Sequence, residues 1–486
     1  MFVPILALLS LVFWGLSSPA GSSPDDDFHL ASIWCGAGER ADICTQPDDK
    51  PDQRTVPQAL LGGSCYAMKP AESAACQGRD FGTDPQKTMT TDRVNLPGGL
   101  YPPVYYAAMS VFVGSNVEVS VLVMRIVNSL IFVALLTSLY LLLPWHRRST
   151  LVWATAITMV PFGMFLVPST NPSGWAVLSA SALWIALLGY FESSGRKRAG
   201  LAVVAALATV IGAGARADSA AYAGLAIIAA VILAFRRDRK FLLQCILPLV
   251  LAAICAFLYL SAGQSDAAPS AGGIDWGVAV TNLLGVPSLW TGAFGGWNLG
   301  WLDTALPPLV WVVTFGIFCG FLLLGLGIRH RRKGIVAALV FAALWLVPTF
   351  VLTQAKVLVG SFVQPRYILP LILILGGIAL LQHRSAFLPP SRIQLVVTVV
   401  GLSLANAIAL HTNLRRYVTG AEVGGWNLDA RVEWWWNLPF SPMFVWIAGS
   451  LAFAAMLVLM TAVWNPEGRV RFANRPEPMT VDTLAG

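Results

Sequence analysis

Apolar blocks of roughly 17 to 25 residues recur along this chain, the length needed to cross about 30 Å of hydrocarbon at 1.5 Å per residue. Twelve can be placed, at about 3–19, 117–143, 150–167, 173–191, 199–214, 219–235, 241–262, 306–328, 335–353, 367–382, 393–410 and 441–464. A water-soluble chain of 486 residues would gather its apolar side chains into a few cores. Here 56% of residues are hydrophobic and 12% charged, so the bilayer is the better solvent. The expected fold is an all-α integral membrane protein of about twelve transmembrane helices. It reads as one polytopic domain over 1–486, with a large disulfide-containing first extracytoplasmic loop at 20–116 and a cytoplasmic tail at 465–486.

Short cytoplasmic loops retain Lys and Arg, which sets the orientation. Basic clusters fall at alternate connections: Arg147-Arg148, Arg196 to Arg198, Arg236 to Lys240, Arg329 to Lys333, Arg384 with Arg392, and Arg469, Arg471 and Arg475 in the tail. Placing these inside accounts for 18 of the 32 Lys and Arg but only 5 of the 25 Asp and Glu, and puts both termini in the cytoplasm. The net charge of +7 then reads as positive-inside bias, with membrane lipids as partners and no nucleic acid. The first block lacks a basic n-region and is long enough to span. It is read as a retained helix, and its cleavage as a signal peptide would leave the downstream sidedness unchanged.

Cys35, Cys44, Cys65 and Cys76 all lie in the first outer loop, whereas Cys245, Cys255 and Cys319 lie inside apolar blocks. The outer four allow two disulfides in any of three pairings. Their spacings contain no C-x₂-C pair, which argues against zinc. The chain carries no P-loop, no G-x-G-x-x-G and no cytoplasmic stretch long enough for a nucleotide-binding domain, which excludes an ATP-driven pump.

The polar residues that invite chemistry gather at the outer connections. SPDDDFH places Asp25, Asp26, Asp27 and His29 where the chain leaves the first block. Carboxylates there can act as a general base for an acceptor hydroxyl, bind a divalent cation that bridges phosphate, or simply cap the helix end in water. LPGGLYPPVYY at 96–106 reads as a break and an interfacial helix with Tyr101, Tyr105 and Tyr106. Arg216 and Asp218 share a short outer turn, where they can form a mutual ion pair or where Arg216 can hold a phosphate through two parallel hydrogen bonds. Gln364, Arg366 and Tyr367 sit at the mouth of the tenth block in the same way, and two such arginines strengthen the anion-site reading. Arg125 and Lys356 are weaker candidates, Arg125 being able to snorkel to the interface. The Gly- and Trp-rich stretch at 271–303 and WWWNLPF at 434–440 read as interfacial belts.

SPDDDFH, LYPPVYY and SFVQPRYILP together resemble the signatures of the bacterial membrane family DUF2142, whose layout is similar to the GT-C superfamily of lipid-sugar-dependent glycosyltransferases. The family's P-D-E-x-x-H falls on Pro24, Asp25, Asp26 and His29, with Asp in place of Glu. Its turn between the third and fourth spans often carries Asn followed by Asp. Here Asn171 is followed by Pro172 and Ser173, so this turn offers no carboxylate. The resemblance implies transfer of a sugar from a polyprenyl-phosphate donor to a cell-envelope glycan or lipid acceptor on the outer face of a bacterial plasma membrane. It makes Asp25 the base with Asp26 next, and gives the donor phosphate to Arg216 and Arg366. His29, Tyr101, Tyr105, Asp218, Gln364 and Tyr367 would shape the pocket, and no motif demands a metal or other cofactor. The rival classes are a transporter or flippase of lipid-linked glycans, which should place ionisable residues along a two-sided path, and a non-catalytic assembly protein.

Overall fold

The computed structural model describes all residues except 1, 42, 79, 85, 264–272, 328–329, 383–389 and 462–486. Arg329, Arg384 and the tail expected at 465–486 therefore lie outside the described residues.

Helix α1, Phe2–Leu16, is followed by a loop of about a hundred residues that packs on one end of the bundle. Its elements are α2 (Asp26–Trp34), β1 (Arg54–Pro57), α3 (Ala59–Gly62), β2 (Thr88–Thr91) and α4 (Val104–Met109). Ile33, Trp34, Val56, Leu60 and Tyr105 form its buried centre together with Val121 from the following span. The strands pair antiparallel, with Thr55 opposite Thr90, so the chain is not wholly helical. Threonine-rich segments such as TMTT suit a pleated, half-exposed surface. Of the three disulfide pairings open from sequence, the chain forms the two local ones, Cys35–Cys44 and Cys65–Cys76, with Cα separations of 5.3 and 6.1 Å.

The apolar blocks then follow as α5 (Val117–Leu142), α6 (Trp145–Met159), α7 (Phe162–Leu166), α8 (Ser173–Glu192), α9 (Gly195–Ala213) and α10 (Ala217–Ala234). After them come α11 (Arg239–Gln244), α12 (Ile246–Leu260), the short α13 (Trp276–Gly285) and α14 (Pro287–Thr291), and α15 (Pro308–Leu326). The last four are α16 (Arg331–Gln354), α17 (Pro365–Ala379), α18 (Arg392–Val418) and α19 (Pro442–Met460). Eight of these segments are long and apolar enough to cross a membrane, α11 and α12 counting as one. The other four expected spans are helical but short or charged. α1 and α17 have 15 residues each, α9 opens on Arg196-Lys197-Arg198, and the block at 150–167 is broken at Pro161, whose missing N–H ends α6.

α8 and α17 are buried nearly all round and form the middle of the bundle. α8 can be surrounded because small residues admit its neighbours closely. A Cβ on Gly212 of α9 would stand 2.3 Å from Ser179. One end of this buried pair meets the first loop, and the candidate site lies there. At the opposite end Arg147 clamps Glu192 through two hydrogen bonds, and Lys333 donates to the carbonyls of Gly325 and Leu381.

Candidate functional site

The three aspartates after α1 meet three different fates. Asp25 precedes α2 with φ at 60°, a left-handed conformation that Asp tolerates better than most residues. That turn leaves its carboxylate half-exposed, 2.6 Å from Nη2 of Arg366. Asp26 points the other way and is fully buried, accepting from the Ser23 N–H and the Thr170 hydroxyl at 2.9 Å each. Asp27 pairs with Arg93 through both carboxylate oxygens. The 169–173 turn, which carries no carboxylate, still serves the motif, since Asn171 donates to the Pro24 carbonyl at 2.9 Å.

Arg366 enters at the first turn of α17, behind Pro365, which presets the helical φ. Its guanidinium is buried and donates to Asp25, to Gln364 and to the Tyr367 hydroxyl, while its Nε has no partner among the described residues. Arg216 sits at the start of α10, equally buried, and clamps Asp218 at 2.8 and 2.7 Å. The mutual ion pair is therefore present. The ring of Tyr367 lies between the cations, 4.4 Å from Arg216 and 4.8 Å from Arg366, and Tyr101 covers Arg216 at 5.5 Å. Aromatic faces stabilise such cations where water is excluded.

His29 completes one wall. It shares a 2.9 Å hydrogen bond with the Tyr106 hydroxyl and meets the Tyr101 ring edge-on. Burial, then the charges of Arg216 and Arg366, hold its pKa well below the ordinary range, so it is neutral at neutral pH. The cluster thus brings together Asp25, His29, Tyr101, Arg216, Asp218, Gln364, Arg366 and Tyr367. Tyr105 does not join it. On α4 one residue is a 100° turn, and Tyr105 packs edge-on against Trp175 while Tyr106 takes the wall position. Arg125 does not snorkel. It is buried and caps α1 by donating to the carbonyls of Gly15, Ser18 and Pro19. Lys356 is exposed on the turn after α16. No group of three His, Cys, Asp or Glu side chains that could hold a metal gathers among the described residues.

Burial raises the Asp26 pKa to about 7, against the lowering influence of Arg125 and its hydrogen bonds. A carboxyl whose folded pKa lies above its unfolded value contributes fully below the unfolded pKa, here 3.8, and loses that contribution as pH rises from there to the folded value of about 7. The thermal midpoint is expected to fall between about pH 4 and 7 and to level off above that, and Asp26→Asn, whose amide can accept from the Ser23 N–H and donate to the Thr170 hydroxyl, is expected to flatten the slope. An unchanged slope in Asp26→Asn would show that another group titrates.

Two other residues escaped notice in the sequence. Arg93 belongs to no motif, and Arg416 near the end of α18 pairs with Asp303 at 2.7 Å, both buried. Trp434 and Trp436, expected as interfacial belts, are buried against Tyr66 and Tyr417, and Trp436 donates to the Leu16 carbonyl.

Bundle and site together define a polytopic membrane protein with a carboxylate-and-arginine cluster at one end. The chain belongs to the family described as Predicted membrane protein (DUF2142), whose pattern matches residues 8–375 and so includes every residue of the cluster. No curated protein and no solved structure matches it.

Proposed function

We propose that the chain is a GT-C-like glycosyltransferase that moves a sugar from a polyprenyl-phosphate donor to a cell-envelope glycan or lipid acceptor. One observation carries this reading. A carboxylate 41% exposed, Asp25, is held against a guanidinium 2% exposed, Arg366, with a second buried guanidinium, Arg216, across the Tyr367 ring. The reading takes twelve helices as spans, both termini as cytoplasmic, and the loop face as the outer side of a bacterial plasma membrane. The basic clusters at 147–148, 196–198 and 236–240 then lie inside.

In this mechanism the donor phosphate replaces Asp25 as the anionic partner of Arg366, whose orphaned Nε a phosphate oxygen would satisfy. The released Asp25 carboxylate accepts the proton of the acceptor hydroxyl as its oxygen bonds the anomeric carbon. The bond from that carbon to the phosphate oxygen breaks, its electron pair stays on the phosphate, and Arg216 and Arg366 stabilise the charge. Neutral His29 shapes the wall. Against a flippase, the ion pairs that a charged path would need sit at the two ends of the bundle, Asp25–Arg366 at one and Arg147–Glu192 at the other.

The test is envelope-glycan composition in a deletion strain, with and without the native gene. Loss of one defined sugar linkage, restored by the native protein with accumulation of the polyprenyl-linked donor in its absence, is the expected result. An unaltered glycan profile on deletion would refute the enzyme.

A further inference from the structure

Toward the end of the bundle away from this cluster, an apolar cavity of about 650 Å³ opens between two packed sets of helices. α1 packs on α5 and α19, whereas α6 packs on α15 and α17, and α5 and α6 both pack on α8. α5 and α6 are joined by Leu143 and Pro144 alone, yet they do not pack along each other, and a wedge is left between them. Its walls are Leu11 of α1, Phe132 and Leu136 of α5, Ala156 of α6 and Phe453 of α19.

Three features identify what fills it. The walls are almost entirely hydrocarbon, and a void of this size within packed helices forfeits its dispersion contacts unless something apolar occupies it. Four of the chain's 11 methionines, Met159, Met164, Met456 and Met460, line it, and thioether side chains adapt to a mobile apolar occupant. At the corner where α5 meets α6, the Arg148 guanidinium lies 5.0 Å over the ring of Tyr140, itself a lining residue, and donates to the carbonyls of Leu141 and Leu143. An apolar bed ending in a cation complements a lipid whose headgroup is negative.

We infer that the wedge is a binding site for one anionic phospholipid, with an acyl chain along α5 and α6 and its phosphate at Arg148. The occupant wedges α6 away from α1 and α5, and it rests against Met164 of α7. The turn that follows α7 carries Thr170 and Asn171, the partners of Asp26 and Pro24. The site is separate from the Asp25 cluster and independent of the reaction proposed there.

The test is native mass spectrometry with lipid extraction on the full-length protein purified in mild detergent. The native protein should retain one phospholipid per chain, enriched in anionic headgroups over the membrane it came from. Arg148→Gln should lower the retained anionic-to-zwitterionic ratio about fivefold, the preference one surface cation confers. Ala156→Phe and, separately, Leu136→Phe should expel the lipid by filling the wedge. Either filled variant that remains folded, judged by a sharp thermal transition, is sufficient for the comparison. Folded native protein carrying no lipid would overturn the inference, as would equal retention by the native protein, Arg148→Gln and a folded filled variant.

Discussion

Replacing Asp25 by Asn is expected to lower sugar transfer by about 10²- to 10⁴-fold, the usual loss when a positioned proton acceptor is removed, while hardly moving the thermal midpoint. Asparagine suits this position for the same reason that aspartate does, since both tolerate the left-handed φ of 60°. Its amide oxygen can still accept from Arg366, so the wall keeps its shape and loses only the carboxylate proposed as base. Asp25→Ala would confound the two effects, because it removes the hydrogen bond and adds roughly 1 kcal/mol or more of backbone strain. Transfer should be measured in membranes with matched protein abundance, using a polyprenyl-phosphate sugar as donor. Activity within a few-fold of native in Asp25→Asn would remove Asp25 as base. Asp26 is a poor substitute, being buried behind Ser23 and Thr170.

That distinction between Asp25 and Asp26 marks where the sequence stopped being informative. The span 117–143 was legible almost to the residue because a long, mostly apolar run bounded by Asn116 leaves little choice even with Glu118, Arg125 and Asn128 within it, and Asn116 caps α5 through its side chain. The acid and both arginines were legible as well, since charged residues at span ends need partners. Which partner each would take was not legible. Asp25 and Arg366 are 341 residues apart, and the choice of Asp25 over its neighbours depends on one left-handed turn. The same limit explains Tyr105. The α4 helix begins at Val104, and an error of one residue in its phase exchanges the wall tyrosine for a core one. Tryptophan misled for a different reason. WWWNLPF has the composition of an interfacial belt, but two of its rings serve as core because the first loop folds down onto them. Hydropathy alone carries the block at 150–167 through Pro161, although a proline leaves the preceding turn without a donor there.

Arg416 was invisible because its span was expected to end at 410, and its partner lies 113 residues away in a Gly- and Trp-rich stretch. The structure makes this pair a principal tether of the first loop. Arg416 donates to Asp303 at 2.7 Å, to the Tyr66 carbonyl at 2.8 Å and to the Glu72 carbonyl at 2.6 Å, while Asp303 also accepts from the Met68 N–H. It therefore fastens the loop closed by Cys65–Cys76 to the end of α18. With side chains 1% and 4% exposed, neither charge can turn to water if its partner is removed. Arg416→Met alone is expected to destabilise the protein by about 3–5 kcal/mol, and Asp303→Leu alone by a similar amount, because each strands a buried charge. The double variant strands none, so its loss should fall clearly below the sum of the two, as read from denaturant midpoints in detergent. Strict additivity would mean that the pair is not coupled. The effect should also reach the candidate site. Tyr66 donates its hydroxyl to the Ala20 carbonyl, five residues before Asp25, so the chain segment that presents Asp25 hangs from the same tether. Transfer activity is therefore expected to fall in Arg416→Met and to recover in part in the double variant, even though neither residue touches the Asp25 cluster.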